Sequence, residues 1–146
     1  MDLETAAKLN VYQSIVETAE APTAREVADS LGRSVAEVAE AFQSLSERRL
    51  LVLEAGTSEI RMAPPFSAVE TPFSVEAGGQ SYFANCVWDA LGVAAALHRD
   101  VVVFTACGDC GEPMSLQVEN GAPVPQTCTI HFAVPAAHWW DDIVHT

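Results

Sequence analysis

The sequence predicts an α+β protein: an N-terminal winged helix-turn-helix domain followed by a small mixed β-sheet domain packed on a central helix. Three observations predict it. Before residue 48, apolar residues recur at helical spacing, and two capping boxes, Thr23-Ala-Arg-Glu26 and Ser34-Val-Ala-Glu37, mark helix starts. From residue 50 onward, short alternating or β-branched runs take over, separated by glycine-bearing turns. Among those β-rich runs a single segment, Val87 to Leu97, is apolar over most of its circumference and reads as a buried helix.

Taken in order, Leu9, Tyr12, Ile15, Val16 and Ala19 line one face of a first amphipathic helix, which Ala21-Pro22 ends. In each capping box a hydroxyl and a carboxylate satisfy orphan backbone donors; the first opens a short helix closed by Gly32, the second a helix with Val35, Val38, Phe42 and Leu45 on one face. Leu50–Glu54 and Glu59–Met62 read as a hairpin joined at Ala55-Gly-Thr-Ser58. Three helices and a hairpin make the winged-helix pattern of residues 1–63. Residues 64–72, with prolines at 64, 65 and 72, read as an extended connector laid along the surface, apolar enough to pack and not a free linker. Residues 73–146 form the second domain. There Phe73–Glu76 and Gln80–Ala84 flank a Gly78-Gly79 turn, and Val101–Phe104, Ser115–Glu119 and Thr127–Val134 read as further strands. Ala136 to Thr146 reads as one or two helical turns.

Composition bounds the function. The 146 residues suit one ordinary domain or two small ones, and 49% hydrophobic with 18% charged residues is globular. Seven basic against 20 acidic residues, with Arg99 the only basic residue after position 63, disfavour nucleic acid, anionic membranes and acidic substrates. The exposed positions of residues 34–47 include Glu37, Glu40 and Glu47, which argues against a groove-reading helix. No apolar run approaches the ~20 residues that span a bilayer, and the first residues carry no basic then apolar leader pattern, so a cytoplasmic location is expected. Four cysteines, Cys86, Cys107, Cys110 and Cys128, all fall in the second half, a clustering that in a cytosolic chain points to catalysis, redox chemistry or metal binding.

The chemistry-bearing stretch is Ser81 to Gly92. Cys86 opens the helix and Asp89 follows three residues later, on the same face. A thiol at a helix N-terminus is expected to ionise readily, and a carboxyl beside it, partly out of water, is expected to hold its proton. The bland alternative is a buried cysteine that packs as a small apolar residue while Asp89 is solvated. Cys107-Gly-Asp-Cys110 resembles half of a zinc site, which Cys86 and Cys128 could complete, with His131 a weaker candidate; its alternative is a reduced or structural pair in a turn.

In order along the chain, Tyr82 to Asp89, Val101 to Val118 with GEPMSLQV, Ile130-His-Phe132 and Val134-Pro-Ala-Ala-His-Trp139 together resemble the organomercurial (alkylmercury) lyases. The resemblance covers roughly residues 73 to 140, and the winged-helix half looks like a shortened form of that family's helical N-terminal domain. It implies that two thiolates capture the mercury of R–Hg⁺ while an aspartic acid protonates the departing carbon. Soft mercury prefers sulfur, and sulfur donation makes the carbon more basic. By position, Cys86 is a capturing thiolate and Asp89 the proton donor and an oxygen ligand; Cys128 falls on the second of the family's two adjacent cysteines and Thr127 on the first, the one credited with catalysis, so the second catalytic thiolate is expected to be Cys128, or else Cys107 or Cys110. Cys110 is extra to the family pattern. The resemblance implies no required cofactor, mercury being substrate and product, an organometal or metal ion as partner, and external thiols for product release. The alternatives are a non-catalytic protein holding zinc or mercury through Cys86, Cys107, Cys110 and Cys128, a sensor, or a different lyase or biosynthetic reaction on the same scaffold.

Overall fold

In the computed structural model, residues 1–145 are described. The chain begins with three helices, α1 (Leu3–Thr18), α2 (Ala24–Leu31) and α3 (Val35–Glu47). Asp2 caps α1, and both capping boxes are formed, Thr23 with Glu26 and Ser34 with Glu37. Gly32 ends α2 in the left-handed conformation, at φ 63°, which glycine adopts without a Cβ penalty. The buried stripe of α1 is Ala7, Val11 and Ile15, rotated about the helix from the expected one but sharing Ile15: Leu9 is 53% exposed and Val16 faces water. The small Ala7 lets α1 approach its helical neighbours, whereas Tyr12 sits at the border and donates its hydroxyl to the Pro64 carbonyl at 2.7 Å. On α3 the core face is Val38, Ala41, Phe42 and Leu45, and Val35 is exposed.

The strands are β1 (Val52–Leu53), β2 (Ile60–Ala63), β3 (Phe66–Ser67), β4 (Ser74–Ala77), β5 (Gln80–Ala84), β6 (Val101–Ala106), β7 (Pro113–Glu119) and β8 (Ala122–Pro123). They form one eight-stranded sheet in the order β1-β2-β3-β5-β4-β6-β7-β8, and every pairing is antiparallel. The expected mixed sheet is thereby corrected. A fourth helix, α4 (Val87–Leu97), carries the chain from β5 to β6, two strands that run in the same direction, but β4 lies between them and pairs with both, so no parallel pair arises. The sheet includes residues from all three expected segments. The connector is not merely laid on the surface: Phe66 and Ser67 are buried as β3, and Phe66 packs its ring 5.4 Å from Tyr82 and 6.5 Å from Tyr12. Tyr82 Oη donates to the Val16 carbonyl at 2.9 Å and Gln80 to Glu17, tying β5 to the end of α1 within a single hydrophobic core.

The helix α4 lies on one face of the sheet through Ala90, Val93 and Ala94. It is not buried all round, since only one side has a sheet to cover it, and Trp88 is 62% exposed. The expected strand at 127–134 is absent. Val124 makes the last backbone bond to β7, at 2.9 Å to Gln117, and Pro123 and Pro125 on either side carry no N–H to extend the ladder. The chain turns back over α4 instead, where Phe132 and Trp88 contact the Trp139 ring at 5.0 and 6.4 Å. Two 3-10 turns, Ala136–Asp141 and Ile143–His145, follow, in keeping with the short helical end read from the sequence. Among the described residues no helix is long and apolar enough to cross a membrane.

Candidate thiol and carboxyl site at the start of α4

Cys86 occupies the N-cap position of α4 in an extended conformation, φ −146° and ψ 178°, and its carbonyl accepts the first helical bond, from Ala90 at 2.9 Å. The thiol is half-buried and donates to Asp89 Oδ2 at 3.4 Å, so the pair expected from the i, i+3 spacing is brought together. Its electrostatics differ from expectation. Burial pushes the Cys86 thiol up; the Asp89 carboxylate adds to this, and the backbone N–H groups of Asp89 and Trp88 oppose it without prevailing. The helix N-terminus therefore does not make this thiol easy to ionise while Asp89 is charged. Burial likewise holds the Asp89 carboxyl above the ordinary carboxylate range, with the thiol hydrogen bond pulling the other way. Burial thus penalises charge on both groups, the thiolate of Cys86 and the carboxylate of Asp89.

Cys86 opens into a cavity of about 310 Å³ lined by Phe73, Asn85, Val87, residues 131–134 and His145. Asn85 Nδ2 donates to the Ile143 carbonyl at 2.9 Å and thereby anchors the C-terminal turn over the cavity mouth. His145 is paired through Nδ1 with Asp142 at 3.0 Å. Sequence reasoning misses Asn85, Phe73, Phe132 and His145 as site residues. Adjacency to Cys86 is the available signal for Asn85, but the others come from distant segments that only the fold brings in. His131, the weaker candidate because the expected strand puts it on the face away from Cys128, lines the Cys86 cavity.

Cys128 does not line the Cys86 cavity. It is exposed, donates to Gln126 Oε1 at 3.7 Å, and lines a second cavity of about 190 Å³ with Leu91, Leu116 and Ile130. Thr127 is exposed as well. The cause is the missing strand: without a ladder partner, residues 124–134 follow the apolar side of α4, and pleat alternation no longer sets which way each side chain points.

Cys107 and Cys110 lie in the β6–β7 turn, closed by Cys107 N–H to the Glu112 carbonyl and Gly111 N–H to the Cys107 carbonyl, each at 2.9 Å. The backbone N–H groups of Cys110 and Asp109, and then the Cys110 thiol, point at the Cys107 sulfur and hold it below the ordinary thiol range, against the opposing Glu112 carboxylate. All four cysteines are free, and among the described residues no cluster of three or more His, Cys, Asp and Glu side chains is placed to hold a metal ion. The four-thiol set Cys86, Cys107, Cys110 and Cys128, which zinc would want as four donors, is not assembled.

The sequence pattern of MerB, alkylmercury lyase, matches residues 66–146. Ten chains of solved structures match the fold. One of them, the crystal structure of the mercury-bound form of MerB2, superposes with a TM-score of 0.68 and 26% identity, covering 87% of this chain and 61% of that one. This chain thus spans 61% of the length of that relative. No curated protein sequence matches.

Proposed function

Because the chain belongs to the alkylmercury lyase family, we propose that it cleaves carbon–mercury bonds at the Cys86–Asp89 pair. The observation that carries this reading is the 3.4 Å hydrogen bond from the Cys86 thiol, which lines a 310 Å³ cavity, to the Asp89 carboxylate. The similarity to a mercury-bound relative supports it.

The geometry suggests how one proton serves the reaction. As the mercury of R–Hg⁺ bonds to Cys86 Sγ, the thiol proton passes to Asp89 Oδ2, its existing hydrogen-bond partner. Burial favours the neutral carboxylic acid that results. Sulfur donation to mercury raises electron density on the bound carbon; Asp89 returns the proton to that carbon, the Hg–C bond breaks, R–H leaves, and Hg(II) remains on Cys86. Mercury enters as substrate and leaves as product with external thiols, and the chemistry asks for no cofactor. Phe73, Phe132 and Val134 give the organic group an apolar wall. Cys128, at the family's second adjacent-cysteine position, lines a separate cavity.

The same proposal reads residues 1–63 as a winged-helix domain with a structural role, 64–72 as its connector and 73–146 as the lyase core. Three helices followed by the β1–β2 hairpin support that division. Four free thiols support a cytoplasmic protein. A second reading, a soft-metal-binding or sensor protein without catalysis, is favoured by the Cys107-x-x-Cys110 turn; zinc there would need two more donors. The deciding experiment is release of R–H from an organomercurial by wild type, Cys86→Ser and Asp89→Asn with excess thiol. Loss in both variants is expected, and full activity in Cys86→Ser overturns the lyase assignment.

A further inference from the structure

The β6–β7 turn carries two thiols that the cleavage chemistry does not use. Cross-strand register places it relative to the catalytic pair. Phe83 of β5 and Phe104 of β6 both pair with Ser74 of β4, so the three residues form one row. Cys86 and Cys107 each lie three residues beyond that row at the same end of the sheet, on strands separated by two spacings, about 10 Å. The turn is open to solvent and Cys110 is exposed. Gly111, at φ 73°, and the two closing backbone bonds hold the Cys-x-x-Cys segment in a tight turn that keeps its two thiols on one short loop. The acidic side chains of Asp109 and Glu112 on the same turn favour a cation over an anion.

Two sulfurs, with no cluster of three donors among the described residues, make a poor zinc site but suit a soft cation content with two thiolates. We propose that Cys107 and Cys110 form a separate two-sulfur site for Hg(II) that fills before Cys86. The site itself stands on the turn geometry; the choice of mercury rests on the lyase reading. Two thiolates on one soft cation need a sulfur-to-sulfur separation of about 4–5 Å, which rotation of the exposed Cys110 side chain allows. Binding releases the protons that the two sulfurs carry to solvent and involves no redox change. Cys86 offers Hg(II) only one sulfur in its cavity, because Cys128 faces another.

The test uses inorganic Hg(II), so it does not depend on cleavage. One equivalent is added to the reduced full chain, free thiols are trapped with N-ethylmaleimide, and each cysteine is quantified by peptide mass spectrometry. Protection of Cys107 and Cys110 at least tenfold over Cys86 and Cys128 is expected. Continued alkylation of Cys107 and Cys110, or earlier protection of Cys86, overturns the proposal. In a second measurement, Cys86→Ser,Cys128→Ser retains one tightly held equivalent with sulfur-to-mercury ultraviolet absorbance, and adding Cys107→Ser removes it; retention after that change also overturns the site. A protein that binds Hg(II) at the turn yet releases no R–H would refute the lyase reading alone.

Discussion

Two cysteines at one end of the same sheet meet opposite conditions. Cys86 sits in a half-buried helix cap against a carboxylate, and its thiol is pushed up; Cys107 sits in an open turn against N–H donors and a second thiol, and is pulled down. Both receive backbone N–H groups. The difference lies in desolvation and in the sign of the neighbour: Asp89 penalises a thiolate, whereas the Cys110 thiol stabilises one. Such a contrast divides labour. A thiol that must deliver its proton to a nearby acid is useful when it is protonated at rest, and a thiol that must hold a soft cation is useful when its proton leaves easily.

The largest expected effect is on cleavage. Cys86→Ser abolishes R–H release, and Asp89→Asn lowers single-turnover release by roughly 10²–10⁴-fold, the usual span for a lost proton donor. In wild type the pH dependence follows the pair. Release falls on the alkaline side once Cys86 loses its proton before substrate arrives, at a pH above the ordinary thiol range, because burial raises that group. An alkaline limb at or below ordinary thiol values would show that the pair is not the proton source.

Alkylation without metal probes the contrast directly. Near neutral pH, Cys107 should react faster than Cys86 with iodoacetamide, because more of it is thiolate. Asp89→Asn should speed Cys86 by removing the negative neighbour, while leaving the Cys107 rate unchanged. Equal rates at the two cysteines in wild type would erase the distinction.

Stability provides a smaller signal. Asp89 has a raised folded-state value, so its contribution is fully present below the unfolded-state value and is lost as pH rises through the folded one. Asp89→Asn avoids that loss. It should therefore unfold at a higher temperature than wild type near neutral pH, with the advantage shrinking as the solution is acidified through the ordinary carboxylate range. Smallest of all, Tyr82→Phe removes the hydroxyl bond to the Val16 carbonyl between α1 and β5 and should cost about 1 kcal/mol in denaturant unfolding, without changing the cysteine reactivities.

Local signals are legible in the sequence where the physics is local. The capping boxes at Thr23 and Ser34, the β5 bounds, the start of α4 at Cys86 and the closeness of Cys86 to Asp89 all depend on residues within a few positions of one another. The buried face of α1 is not legible in the same way, because Leu9 and Val16 have the apolarity of core residues but no neighbour to bury them. The run Thr127–Val134 has strand-like alternation, yet a strand needs a ladder, and the prolines at 123 and 125 deny it one. With that difference Cys128 lines a separate cavity from Cys86, and His131 lines the Cys86 one.

Helix starts, turns and the thiol–carboxyl spacing are thus set by the order of residues, since hydrogen bonds to nearby backbone and side chains decide them. Which thiols share a cavity, and which of them is reluctant to ionise, is decided by tertiary structure. Solvent exclusion by α4, the sheet and the returning C-terminal segment fixes the cost of charge at each sulfur, and no stretch of sequence carries that cost by itself.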